Sequence, residues 1–411
     1  MNTPTITRLN HHLVMPGLAT AHSHAFQRAL RGRTQRQAVS AGSFWSWRGL
    51  MYQLAEQLDP DDIFNLSRFA FVELAMSGVT AVGEFHYVHH QPDGTPYPNR
   101  TELAEAVIQA AKAAGIRICL IRTVYQRGGF QQPLASAQIR FADAEMDDVL
   151  SDVESLQAKF ADDPLVTVTV AAHSVRAVPL EGITKLKNYT ADRGLPFHMH
   201  VAEQRRELEE CRAEYHTTPV QLLANAGILT ENFVGVHATH LDLAEITALG
   251  QAEAFVCLCR TTERDLGDGL PQTAALLRAG AKLCVGVDSH ACENAFEEIR
   301  AVELDERSRT EQRTVAAEAP YLLKAGTQLG YEALGMGAVW AEDKVHLTAD
   351  DASLAGLADE QLTDGVLFGA TPRAVDEVWV NQQRIVHKGV HGHYQEALAG
   401  YKQTLRKLSL L

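Results

Sequence analysis

The stretch Leu165–Glu203, LVTVTVAAHSVRAVPLEGITKLKNYTADRGLPFHMHVAE, decides the fold. It opens on a β-branched run without a charged residue, the composition of a strand covered on both faces. A segment with helical spacing follows, from Leu180 to a stop at Gly194. LPFHMHVAE is then a second strand. Strand, helix and strand in this order make a parallel βαβ unit.

The same rhythm runs outward in both directions. Upstream, LVMPGLATAHSH, VTAVGEFHYV and IRICLIRTVY read as strands. DPDDIFNLSRFAFVELAMSG, TELAEAVIQAAKAAG and MDDVLSDVESLQAKF read as the helices after them. Downstream, FVGVHATH, AFVCLCR and KLCVGVDSH read as strands, with VQLLANAG, LAEITALG and PQTAALLRAG helical. Eight strand–helix units between about residue 13 and residue 311 imply a (β/α)8 barrel of the TIM type. An open doubly wound sheet is the alternative, but no GxGxxG follows the first strand. After about residue 312 the pattern changes. Two short helical pieces lead to KVHLTADD and DEVWVNQQRIV, which read as β-structure, and YQEALAGYKQTLRKLSLL is helical. The expected division is a catalytic barrel over 14–330 and a small β-rich subdomain with a C-terminal helix, built from 1–13 plus 331–411.

The chain has 411 residues, 46% hydrophobic and 21% charged, enough to bury a large core. Its net charge of -14 argues against a nucleic-acid footprint and against an anionic membrane surface. A few arginines in a pocket can still take a small anion. No apolar run approaches the roughly 18 residues of a membrane helix. MNTPTITRLNHH has neither the basic start nor the apolar stretch of a signal peptide, so the cytoplasm is the expected location. The six cysteines form no CxxC pair and read as free thiols in a reducing compartment.

In a barrel of this kind the active site gathers at the C-terminal ends of the strands. His22 and His24 end the first strand; Glu84, His86 and Tyr87 the second; His173 and Arg176 the fourth. His198, His200 and Glu203 end the fifth, His237 and His240 the sixth, and Asp288 and His290 the eighth. Side chains two apart on a strand point the same way, so His22 and His24 project together. A lone HxH is also what a polar turn looks like. With a third His and a carboxylate it becomes a site for zinc or a similar divalent ion. His198 and His200 compete for the third position. His200 is favoured, because Glu203 then follows where the chain can turn its carboxylate toward the water. The expected ligands are His22, His24, His200 and Asp288, with His198 a hydrogen-bonded histidine deeper in the barrel.

HSHAFQR, FWSWR, EFHYVHH, HSVRAV, HMHVAEQ, VHATH, TTERDLGDG and GVDSHA together resemble the amidohydrolase superfamily. Within it they are most similar to the formimidoylglutamate deiminases, from about Met15 to about residue 300. The resemblance implies metal-dependent deimination of N-formimino-L-glutamate to N-formyl-L-glutamate and ammonia, a step of histidine degradation. One divalent ion, zinc, would activate water. Glu203 would carry the proton as general base and then acid, His237 would stabilise the tetrahedral centre, and Asp288 would also take a proton. Some relatives bridge two metals with a carboxylated lysine on the fourth strand. LVTVTVAAHSV has no lysine, so one metal is expected.

A diacid substrate calls for guanidinium groups, which pair with carboxylates through two parallel hydrogen bonds. Arg48 and Arg176 are the candidates, with Gln27, Tyr87 and His173 as further polar contacts. Arg48 packed on Trp45 or Trp47, and Tyr87 as a core tyrosine, are the plainer readings. Arg28, Arg31 and Arg33 read as a solvated helix face. His86, His89, His90 and His240 read as structural or supporting groups. His290 could orient Asp288, and Glu263 and the LGDG loop from Leu266 to Gly269 could line the site. The family's habit implies a homodimer. Its members usually carry a longer N-terminal β segment, so a reduced subdomain is expected. The alternatives are a deaminase of the same superfamily acting on a purine, pyrimidine or guanidino compound, and an inactive barrel serving in assembly. The arginines oppose a neutral nucleobase, and retention of every ligand opposes the inactive barrel.

Overall fold

The computed structural model describes residues 3–35 and 44–410. Eight parallel strands lie side by side in chain order. They are β1 (Leu18–Ser23), β2 (Val79–His86), β3 (Arg117–Val124), β4 (Val166–Ser174), β5 (Phe197–Val201), β6 (Phe233–His237), β7 (Phe255–Leu258) and β8 (Lys282–Val285). β2 and β3 are buried along their whole length, as strands with side chains inside and helices outside must be. The barrel closes just beyond β8. There the His24 amide donates to the Asp288 carbonyl at 2.9 Å, and the Asp288 amide donates to the His22 carbonyl at 3.0 Å.

The helices start where the sequence says they should. Asp59 caps Pro60–Met76: its carboxylate accepts from the Asp62 amide at 2.9 Å, and the Asp62 carboxylate accepts from the Asp59 amide at 3.2 Å. Gly115, at φ 71°, ends Glu102–Ala114 in the left-handed conformation that glycine adopts without strain. Among the described residues, no helix is long and apolar enough to cross a membrane.

The termini build a separate six-stranded antiparallel sheet, in the order Thr7–Leu9, His12–Pro16, Lys344–Thr348, Val375–Val380, Gln383–His387 and Val390–His391. LVMPGLATAHSH, read above as one strand, is therefore two. Val14 pairs with His346 in the small sheet, whereas Leu18 pairs with Val79 in the barrel. Gly17 makes the transfer possible: a Cβ there would sit 2.0 Å from the Thr80 hydroxyl. Apolar periodicity does not reveal which sheet a strand joins.

A buried polar knot ties the two sheets together. Asp343 accepts from Arg117 Nε at 2.8 Å and Nη2 at 3.0 Å, from the Tyr331 hydroxyl at 2.6 Å and from the Asn381 amide at 2.9 Å. Removing one partner of a buried pair strands the other charge. Arg117→Met should lower unfolding stability by about 3–5 kcal/mol, read from the denaturant midpoint. A shift below about 1 kcal/mol would mean that water compensates Asp343.

The C-terminal helix Tyr394–Lys407 packs on Pro60–Met76, with the Tyr401 and Phe69 rings stacked at 4.6 Å. The three arginines after HSHAFQ do not form a solvated face. Arg28 pairs with Glu73 at 2.5 Å and stands over Phe69 and Tyr401; Arg31 pairs with Glu293 at 2.6 Å; Arg33 donates to the Leu410 carbonyl at 3.0 Å. Partners remote in sequence hold them, and a local helical reading does not contain those partners.

Candidate metal centre and active site

His22, His24, His200 and Asp288 bring four ligand atoms together at the mouth of the barrel, all buried. His22 Nε2 lies 3.1 Å from both His24 Nε2 and His200 Nε2. Asp288 Oδ1 is 3.6 Å from His22 Nε2 and 3.3 Å from His24 Nε2. Donors about 2.1 Å from a shared ion sit roughly 3.0–3.6 Å apart.

The tautomers show that the cluster fits a cation. His24 Nδ1 lies 3.0 Å from the Phe85 carbonyl and His200 Nδ1 3.1 Å from the His173 carbonyl, so each Nδ1–H donates outward. Both Nε2 atoms are then lone pairs facing His22 Nε2. One proton on His22 can meet only one of them; a divalent ion meets all three. Burial lowers all three imidazole pKa values, that of His24 to about 3, which keeps the rings in the neutral, ligating form. Glu84 braces the HSH turn from β2, accepting from the Ser23 hydroxyl at 2.5 Å and the Ala25 amide at 2.7 Å.

Strain is concentrated here. Ala202, His237, Ala238, Asp288 and His290, all at strand ends, have φ between 49° and 71°. Non-glycine residues in this region cost about 1–3 kcal/mol each and persist only where the surroundings impose them.

His237 stands between two carboxylates, with Nδ1 3.2 Å from Glu263 and Nε2 3.6 Å from Glu203. Burial alone would discharge it, but Glu203, Glu263 and Asp288 outweigh burial and raise its pKa to about 10. Burial pushes the Glu203 carboxyl upward, while His237 and Arg176 pull it back. A carboxyl poised this way suits proton transfer.

A cleft opens above these groups, lined by every residue expected as ligand, catalytic or substrate-binding group except His22; of Glu263 and the LGDG loop, only Leu266 lines it. Its wall carries two guanidinium groups. Arg176 is buried, and its Nε and Nη1 have no partner among the described residues. Arg48, on the helix Phe44–Ala55, donates to the Tyr52 hydroxyl at 2.6 Å and the Tyr125 hydroxyl at 3.2 Å. It also stands 5.4 Å from the Trp45 ring, so the plainer packing role and the pocket role coexist. Gln27 donates to the Tyr87 hydroxyl at 2.9 Å, and its own oxygen has no partner among the described residues.

The sequence matches the amidohydrolase family over residues 13–381. It is 33% identical to the formimidoylglutamate deiminase of Pseudomonas aeruginosa, with 96% of this chain and 89% of that one covered. The chain belongs to the amidohydrolase family. Among solved structures, an amidohydrolase from Brucella melitensis superposes with a TM-score of 0.90 at 30% identity, over 99% of this chain and 96% of that one. A zinc-bound adenosine deaminase from Xanthomonas campestris shares the fold, with a TM-score of 0.81 at 20% identity over 98% and 87% of the two chains. A 5-methylthioadenosine/S-adenosylhomocysteine deaminase from Thermodesulfovibrio yellowstonii is 25% identical over 93% of this chain and 82% of its own. A divalent metal suits both this family and the His/Asp cluster.

The remaining groups of this amidohydrolase fall around the centre. His198 Nε2 bonds the Ala333 carbonyl at 2.8 Å, deeper in the barrel. His290 bonds Ser23 at 2.8 Å. His89 joins the buried Arg122, which pairs with Asp143 at 2.6 Å. Glu263 lies under His237 and is held by Arg260 and the Cys259 amide. Tyr52, Tyr125, Phe141 and Met51 also line the cleft. Tyr125 directly follows β3, so the strand-end rule could have found it. Tyr87 was found beside Glu84 and His86, whereas Tyr125 ends a strand run with no histidine or carboxylate to mark it.

Proposed function

We propose that the protein hydrolyses N-formimino-L-glutamate to N-formyl-L-glutamate and ammonia. The observation that carries this reading is the pair of guanidinium groups on the cleft wall, the buried Arg176 and the half-buried Arg48, beside the metal-ligand cluster and without an ion-paired carboxylate among the described residues. A buried, unpaired guanidinium is costly, and a substrate with two carboxylates removes that cost. The likeness to the Pseudomonas deiminase supports the same assignment. A neutral nucleobase would leave both cations unpaired, which disfavours the adenosine-type deaminases as functional guides.

His22, His24, His200 and Asp288 would hold the ion, and zinc suits three imidazoles and a carboxylate. A divalent ion there supplies Lewis-acid chemistry and brings the pKa of water toward about 7. The protein's own groups do the rest. Arg48 and Arg176 fix the two carboxylates, with Gln27, Tyr87 and His173 contributing polar contacts. Glu203 takes a proton from the attacking water and delivers it to the terminal nitrogen. A C–O bond forms at the formimino carbon, the C–N bond breaks, and ammonia leaves. His237, charged and oriented by Glu263, donates to the oxygen developing at the tetrahedral carbon. Asp288 takes up the second water proton as the carbonyl forms, and that proton also goes to the departing nitrogen, so both hydrogens of the water leave with the ammonia. The reading places the enzyme in the reducing cytoplasm, in keeping with cysteines that are all free thiols.

Ammonia release from N-formimino-L-glutamate, with the organic product identified by mass, tests the proposal. Prior treatment with a chelator should abolish release, and zinc should restore it. No ammonia from zinc-loaded protein, or release that survives complete metal removal, would overturn it.

A further inference from the structure

Arg48, Tyr52, Tyr125 and Gln138 form one side-chain network beside the cleft, and among the described residues no acidic group bonds the guanidinium, the phenol oxygens or the amide. Arg48 donates to both tyrosine hydroxyls. Gln138 Nε2 lies 3.1 Å from the Tyr52 oxygen, 2.9 Å from the Tyr125 oxygen and 3.1 Å from the Gly128 carbonyl. The Ala135 amide donates to Gln138 Oε1 at 2.8 Å, which fixes the amide with its nitrogen toward the tyrosines. Both phenol oxygens are therefore acceptors toward nitrogen.

Each phenol also carries one hydrogen of its own. The two oxygens are 3.4 Å apart, so one hydroxyl can point at the other. The second then has no acceptor among the described residues. Burial, reinforced by Tyr125, pushes the Tyr52 pKa up, so its hydrogen stays in place. The Tyr125 ring packs 4.8 Å from His173, which packs 4.9 Å from His200, so this wall stands one ring away from the ligand cluster. A guanidinium with hydroxyl hydrogens beside it and no acid in contact among the described residues matches an acceptor bearing formal negative charge.

We propose that Tyr52 and Tyr125 are specificity-determining residues, which donate their hydroxyls to the same substrate carboxylate that Arg48 neutralises, while Arg176 takes the other carboxylate. The identity of the diacid rests on the proposed function; the acid-binding wall does not. An amide in place of that carboxylate would turn an NH2 group toward a wall of donors and be rejected.

Calorimetric binding of glutarate and of its monoamide, glutaramate, to zinc-loaded protein tests this without turnover. Wild-type protein should prefer glutarate. Tyr52→Phe and Tyr125→Phe, which keep the rings and their packing, should each weaken glutarate about ten- to a hundredfold and shrink its advantage over glutaramate. The KM for N-formimino-L-glutamate should rise in step. Equal weakening of both ligands would show general disruption and overturn the proposal. So would glutarate affinities within about twofold of wild type. If wild-type protein released no ammonia yet kept the tyrosine-dependent preference, the substrate assignment would fail and the acid-binding wall would stand.

Discussion

Glu203→Gln protein, loaded with zinc, should release ammonia about 10²–10⁴-fold more slowly than wild type while keeping its metal. Glutamine has the shape of glutamate but cannot take the water proton. Glu203 is outside the ligand cluster, and its nearest charged partner is His237 Nε2 at 3.6 Å. The substitution thus removes the proton carrier and spares the metal donors. Metal content by atomic emission and kcat by ammonia release separate the two effects. A rate within about tenfold of wild type would assign the proton to another group.

Arg176→Met should raise KM by about 30- to 5,000-fold, the equivalent of about 2–5 kcal/mol for losing one partner of a buried charge pair. Stability should respond less than to Arg117→Met. Arg117 is ion-paired with Asp343, so its loss strands a buried charge. Arg176 has two donor atoms with no partner among the described residues and makes no ion pair there, although its charge holds down the buried Glu203 and Glu207 carboxyls. The thermal midpoint of Arg176→Met should therefore fall less than that of Arg117→Met. A large fall in that midpoint with KM unchanged would reassign Arg176 to the architecture.

Much of the site was legible because the barrel sorts residues by chemistry along each strand. The strand cores are apolar, and the ends carry His22, His24, His173, Arg176, His200, Glu203 and Asp288. Those ends converge in the folded chain. What escaped depends on partners that periodicity does not encode. The break at Gly17 follows from Thr80 pressing on it. The pairings of Arg28, Arg31 and Arg33 involve residues far along the chain. Tyr52 shares a helix face with Arg48, four residues away, but nothing local says that this face looks into the cleft.

The junction of His22, His24 and Asp288 has a consequence for the order of assembly. These three residues sit where the first barrel strand meets the segment after the last. During synthesis the two histidines leave the ribosome early, and the aspartate follows only when the eighth strand is made. A nascent chain therefore holds most of its donors but lacks both the fourth and the closure that aligns them. Hydrolytic competence arrives with the last piece of the wall. In the proposed ligand set, His22, His24 and Asp288 would hold an ion at the final join, and its removal would loosen that seam before any other part of the barrel.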